Sequence, residues 1–262
     1  MARIRVGVVG HGAIGRVVAS RLRAGDVPSA QLVGLTTRHP VIDPPVAQVG
    51  LDQLVNMSQV IVEAAGHELV RDHGTEILEQ GVDLVLVSLG ALADGELETA
   101  IRAAGPGRVV MCTGAVGGLD VLRAAHRLAP LDRVQLTTTK RPSVLIQPWM
   151  PDELVAELQD GASVTAVFEG TARQAAISFP KSINVAASLG LALESWDLVD
   201  VRIVADPNTL STRHVIEAEG AAGHYRFEIA NRPSNLNPAT SEVVPYAVLQ
   251  ALSDLCAAPF LL

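Results

Sequence analysis

Cysteine is scarce: the 262 residues hold only Cys112 and Cys256. Two isolated cysteines offer neither a disulfide framework nor metal-ligand spacing, which argues against a stapled secreted scaffold and against structural zinc. No metal is expected. Aromatic residues make up 3% of the chain, against 48% hydrophobic residues overall. The core must therefore be built from Ala, Val, Leu and Ile, which suits α/β layers. No apolar run reaches about 18 residues, and the opening MARIRVGVVG enters a strand pattern at once, so membrane spanning and secretion are disfavoured. A cytoplasmic protein is expected. The net charge is −8 and the sequence pI about 5.3, leaving no clustered basic face for nucleic acid. Lysine is the rarest charged residue, present only as Lys140 and Lys181.

What is present is a rhythm. Strand patterns over residues 4–9, 30–36, 60–64, 82–89 and 108–112 alternate with helical patterns over 14–24, 51–55, 68–80 and 97–104. Short β-branched runs separated by helices predict a doubly wound parallel sheet. After Gly114 the texture changes. A helix over 119–129 is followed by strand candidates over 134–140, 163–169, 199–205, 214–218 and 225–229, several alternating in period two. Residues 170–193 read as mainly helical, interrupted near 179–181. The pattern predicts an α/β protein: a Rossmann domain over 1–117, and a catalytic α/β domain with a mixed or antiparallel sheet over 118–240, with a cleft between them. A last helix within 241–262 is expected to return to the first domain.

The stretch VGVVGHGAIGR places Gly10, Gly12 and Gly15 in the order G-x-G-x-x-G, directly after a strand and before a helix. The first glycine permits the tight turn, the second lets the backbone approach a pyrophosphate, and the third lets helix and strand pack closely. The helix start, with Ala13 and Ile14, offers free N–H groups and a favourable dipole to the phosphates. An NAD-specific site places Asp or Glu about 20 residues farther on. Here the second strand ends Leu35-Thr36-Thr37-Arg38-His39, with no acid. Thr36 and Thr37 can donate to a phosphate and Arg38 can clasp one in a forked contact. The expected cofactor is therefore NAD or NADP, with NADP accepted and a preference for it left open. Ala64 in VEAAG and Ser88 in SLGALAD lie at C-terminal strand ends, where open α/β sheets bind ligands, and complete the cofactor candidates read from this half.

The matching stretches GHGAIG, VEAAG, SLGALAD, TGAVGGLD, TTTKRP, FPKSINVAASLGLA, ADPNTLSTRH and NRPSNLNPATS run through nearly the whole chain. With them the sequence resembles the L-aspartate dehydrogenase family of NAD(P)-dependent amino-acid dehydrogenases. The resemblance implies reversible oxidative deamination of L-aspartate, through iminoaspartate, to oxaloacetate and ammonia. It also implies a homodimer, and a link to pyridine nucleotide synthesis. It carries the catalytic histidine onto His214 and nicotinamide-side contacts onto Ala115 and Asn184. There are departures. The acid after the second strand is missing, Arg213 precedes the histidine, and Val215 follows it where an acid is expected.

The chemistry gives its own constraints. A base that titrates near neutrality suits deamination, and histidine does so without a large shift. His67, His73 and His126 read as surface residues on or beside helices. His39 follows the adenosine-side loop, and His11 reads as a bystander in the turn. Position alone leaves His214 and His224 open as the base, and the resemblance selects His214. A dicarboxylic substrate needs two anion sites, for which Lys140, Arg141 and Lys181 are the candidates, with Arg213 behind them. Two other readings share the first domain or the fold: a homoserine- or sugar-dehydrogenase-like oxidoreductase, and an NAD(P)-binding sensor without turnover.

Overall fold

In the computed structural model, which describes residues 3–180 and 183–256, the chain divides into two compact units. The first comprises Met1–Gly114 and Val243–Leu262, and the second Ala115–Glu242.

The first unit carries β1 (Ile4–Val9), α1 (Ala13–Ala24), β2 (Ala30–Thr36), α2 (Leu51–Met57), β3 (Val60–Glu63), α3 (His67–Glu79), β4 (Asp83–Leu86), α4 (Gly95–Ala103) and β5 (Val109–Met111). The strands pair in the order β2-β1-β3-β4-β5, all parallel. Val6 and Val8 of β1, Ile61 and Val62 of β3, and Val85 of β4 are fully buried, as expected for strands covered on both faces. The strand order reverses between β1 and β3, so the C-terminal ends of these two strands open the crevice where such sheets take ligands. The last helix of the chain (Val244–Cys256, numbered α9 below) places Val248 and Leu252 in the same buried cluster as Val6, Val8, Val18 and Leu22. The expected helix within 241–262 therefore begins at Val244, and residues 257–262 lie outside the described residues.

The second unit follows with α5 (Leu119–Leu128), β6 (Leu131–Lys140), α6 (Asp152–Asp160), β7 (Thr165–Thr171), α7 (Ala172–Ser178), α8 (Asn184–Ala192), β8 (Val199–Ala205), β9 (Thr212–Gly220) and β10 (Gly223–Asn231), with α9 closing the chain. The sheet order is β10-β9-β6-β8-β7. β6 and β8 run parallel and every other pairing is antiparallel, so the sheet is mixed. Period-two alternation is clean: along β9 Thr212, His214, Ile216 and Ala218 are buried, while Arg213, Glu217 and Glu219 are exposed. The helical stretch after β7 starts with a capping box, in which Thr171 and Gln174 satisfy each other's backbone amides. α7 ends at Ser178, and α8 begins at Asn184.

Several boundaries differ from the sequence reading, among them β6, which begins at Leu131, and β7, which spans Thr165–Thr171. The fourth strand ends at Leu86, and Leu89–Ala93 forms a 3-10 turn instead. The amides of Val87 and Ser88 donate instead to the side chain of Glu63, 24 and 25 residues earlier in the chain. β9 and β10 are each four residues longer than expected, because their register pairs continuously from Gly220–Gly223 out to Thr212–Asn231. The helix α6 has no counterpart in the sequence reading.

Candidate functional site

The glycine turn meets the requirements of a dinucleotide cradle. Gly10 has φ +97°, and a Cβ there would stand 2.3 Å from the carbonyl oxygen of Ala64. A Cβ on Gly15 would stand 2.0 Å from the carbonyl oxygen of Gly10. Both positions therefore admit only glycine, the first on conformation and contact, the second on contact. Gly12 is different. A Cβ there would meet nothing within 4 Å, so this glycine answers no need of the protein's own packing. Its absent side chain leaves room for a ligand at the N-cap of α1, where Ala13 and Ile14 begin the helix. His11 beside it has its pKa lowered by burial and by Arg16.

The organising group at this end of the sheet is Glu63, which the sequence reading did not single out. Its side chain is fully buried at the end of β3. Oε1 accepts from the amides of Ala65 and Gly66 and from the Ser88 hydroxyl, and Oε2 accepts from the amides of Val87 and Ser88. One carboxylate thus holds the β3–α3 loop, which includes Ala64, to the β4 loop. The signal was available: an acid ending an otherwise apolar strand, VIVE, has to find donors.

Several cofactor candidates are thereby placed differently. Ser88 is buried and its hydroxyl donates to Glu63, which ties it into the loop. Thr36 donates its hydroxyl to the Val49 carbonyl at 2.8 Å and is not free for a phosphate. Thr37 is half-buried in the loop that follows. Arg38 is exposed and ion-paired with Glu68 in the first turn of α3. His67 is half-buried: its Nε2 is buried without a hydrogen-bond partner, and burial, then Arg71, lowers its pKa. Asp94 of GALAD caps α4, accepting from the amides of Glu96 and Leu97.

In the second unit the C-terminal end of β6 gathers a polar layer inside an apolar face. Thr138 of β6 pairs in register with His214 of β9. The His214 Nδ1 lies 3.0 Å from Thr138 Oγ1, and both residues are buried. Two residues along the same face is Lys140, 3% exposed, whose Nζ donates to the Ala239 carbonyl at 3.0 Å. Ala239 sits in the loop 232–242, which is closed by the pairing of Pro233 with Ser241 and by Ser234 donating to the Thr240 carbonyl. From the other side, the Asp206 amide donates to the Lys140 carbonyl, and the Arg141 Nε donates to the Thr209 carbonyl at 3.0 Å. The loops after β8 and β10 are both tied to this one strand end.

The electrostatics reverse an expectation. Histidine was expected to titrate near neutrality. Burial, and then the charge of Lys140, push the His214 pKa down to about 3. Burial alone lowers Lys140 to about 8. At neutral pH the pair is therefore a neutral imidazole beside an ammonium that gives up its proton far more easily than a surface lysine.

The remaining candidates fall as follows. Arg141 is exposed at the same strand end. Arg213 is not brought to His214: neighbours along a strand point to opposite faces, and Arg213 pairs instead with Glu228 across the exposed face at 3.7 Å. His224 likewise lies on that exposed face, beside Glu219. Asn184 is the first residue of α8, and the Ala115 carbonyl accepts from the Asn231 side-chain Nδ2 at 3.1 Å. Lys181 lies outside the described residues.

Comparison with known proteins gives a consistent picture. The sequence model of the family described as "Aspartate dehydrogenase, C-terminal" matches residues 120–255, and that described as "Homoserine dehydrogenase, NAD binding domain" matches residues 10–107. The chain is 37% identical to L-aspartate dehydrogenase of Ruegeria pomeroyi over 268 residues, covering 98% of this chain and 94% of that protein. It is 34% identical to L-aspartate dehydrogenase of Ralstonia nicotianae, covering 96% and 97%. Among solved structures, aspartate dehydrogenase from Thermotoga maritima superposes with a TM-score of 0.77 at 27% identity, covering 99% of both chains. An aspartate semialdehyde dehydrogenase from Vibrio cholerae, at 12% identity and a TM-score of 0.55, shares the fold alone.

Proposed function

The chain belongs to the aspartate dehydrogenase family, and from that premise we propose that it oxidises L-aspartate with NAD⁺ or NADP⁺ and water, giving oxaloacetate, ammonia and the reduced cofactor. The observation that carries the reading is the buried trio of Thr138, Lys140 and His214 on one face of the mixed sheet. Polar groups are not retained in an alanine-, valine- and leucine-rich core without a use that offsets their desolvation.

Gly10, Gly12 and Gly15 would hold the pyrophosphate, with Arg38 and Thr37 toward the adenosine ribose, and Ala115 and Asn184 toward the nicotinamide. When bound, the dinucleotide supplies the hydride acceptor. Lys140 and Arg141 hold the substrate carboxylates, the first as a desolvated point charge and the second as a fork at the rim. Once Cα is oxidised and the imine carbon is electrophilic, His214 assists the attack of water. In this role Nδ1–H donates to Thr138 Oγ1, leaving the Nε2 lone pair to accept the proton from water. Burial is the larger cause of the depressed His214 pKa and the Lys140 charge the second; a carboxylate paired with Lys140 offsets that second cause. Collapse of the carbinolamine then releases ammonia. A cytoplasmic homodimer is part of the same reading. Among the described residues no helix is long and apolar enough to cross a membrane.

The reading is tested by offering L-aspartate, L-homoserine and polyols with each cofactor in turn. Reduction should follow aspartate. Turnover of homoserine or a polyol in its place would contradict the assignment.

Lys140 also sets a pH dependence. Its ammonium is lost as pH rises through about 8, so its hold on a carboxylate weakens above that value. Succinate, a dicarboxylate with no amine to titrate, should inhibit progressively less well as pH rises past about 8. Lys140→Met should inhibit weakly at every pH and show no such inflection. A succinate inhibition constant that Lys140→Met leaves unchanged would remove Lys140 from the carboxylate site.

A further inference from the structure

Arg38 and Glu68 form an ion pair that joins two loops. Arg38 stands two residues beyond β2, and Glu68 is the second residue of α3, directly after the β3 loop. In the order β2-β1-β3 these segments flank β1, whose end is the Gly10 turn. The pair therefore links the two sides of the crevice at which the strand order reverses, where a dinucleotide places its adenosine ribose. Both side chains are largely exposed, at 74% for Arg38 and 67% for Glu68. Exposed pairs are held weakly, and this one can part for a ligand at small cost. Glu68 is also an acid on the ribose side of the turn, in a site whose second strand supplies none.

We propose that Glu68 sets the choice between NAD and NADP by competing for Arg38. With NAD, the pair stays closed and the Glu68 carboxylate stands as the acceptor for ribose hydroxyls. With NADP, the 2′-phosphate has to draw the Arg38 guanidinium away from Glu68, and then stands near a carboxylate that has lost its partner. Removing the charge of Glu68 relieves both costs, because the guanidinium is then free to fork onto the phosphate. The inference rests on the dinucleotide-binding part of the function proposed above and is independent of the substrate.

Fluorescence titration of the whole protein with NADH and NADPH, without substrate, tests it. In Glu68→Gln the affinity for NADPH should rise about two- to fivefold relative to that for NADH, the scale of one exposed charge pair. Arg38→Gln should shift the ratio the other way, and adding Glu68→Gln to it should have a smaller effect than in the parent. An affinity ratio unchanged in Glu68→Gln, or moved toward NADH, overturns the proposal. Because no turnover is needed, the titration decides the matter even if the substrate panel rejects aspartate. Loss of all dinucleotide binding by the unmutated protein would overturn both readings.

Discussion

Replacing His214 with alanine should lower kcat/KM for L-aspartate by about a hundred- to ten-thousand-fold, the usual contribution of a positioned general base, with NADH affinity unchanged. The expectation follows from placement. His214 sits mid-strand on β9, in register with Thr138, and is 2% exposed. A buried imidazole costs desolvation, and the structure keeps it neutral, with its pKa near 3, so that one ring nitrogen stays an acceptor throughout the physiological range. Thr138→Val removes the hydroxyl that lies 3.0 Å from Nδ1 and should produce a smaller loss in kcat, since the ring remains but its tautomer and orientation are no longer held. His214→Gln keeps a buried polar group and separates catalysis from folding: it should retain the circular dichroism spectrum and still lose turnover. A loss below about tenfold in His214→Ala would mean that the base lies elsewhere.

Glu63→Ala should have the largest effect on stability, about 3–5 kcal/mol, the scale for breaking a buried charged network by removing one member. Four backbone amides and the Ser88 hydroxyl lose their acceptor together. Against a typical total of roughly 5–15 kcal/mol, such a loss leaves the first unit marginal. Urea denaturation followed by circular dichroism should show the lowered midpoint, and dinucleotide affinity should fall in parallel because the β3 and β4 loops are no longer joined. Glu63→Gln retains one acceptor oxygen and should fall between the two. A change under about 1 kcal/mol for Glu63→Ala would show that the amides find other partners.

The fold was legible where the signal was local. The strand over residues 4–9, the turn with its three glycines, and the alternation along Thr212–Ala218 each follow from side-chain period and backbone permission. These do not depend on distant residues. The mixed character of the second sheet was also within reach, because strands separated by helices there are joined by long connections. What stayed hidden depended on partners far along the chain. Nothing in VIVE says that its acid will accept from Val87 and Ser88, and nothing in SLG says that the serine hydroxyl is already spent. Arg213 looked like a second cation beside the histidine, yet adjacency along a strand guarantees opposite faces. The pKa of His214 was misjudged for the same reason. Its value is set by burial and by Lys140, 74 residues away in sequence and two places along the facing strand. The composition did hold one usable hint, the rarity of lysine: one of only two lysines, Lys140, is buried in the candidate site.

The measurement that bears most directly on the account is the product balance with L-aspartate as sole substrate. Ammonia and reduced cofactor should appear in equal amounts, with oxaloacetate alongside, and in His214→Ala they should appear about a hundred- to ten-thousand-fold more slowly. Reduced cofactor formed without ammonia, or no reduction of either NAD⁺ or NADP⁺ by aspartate, would contradict it.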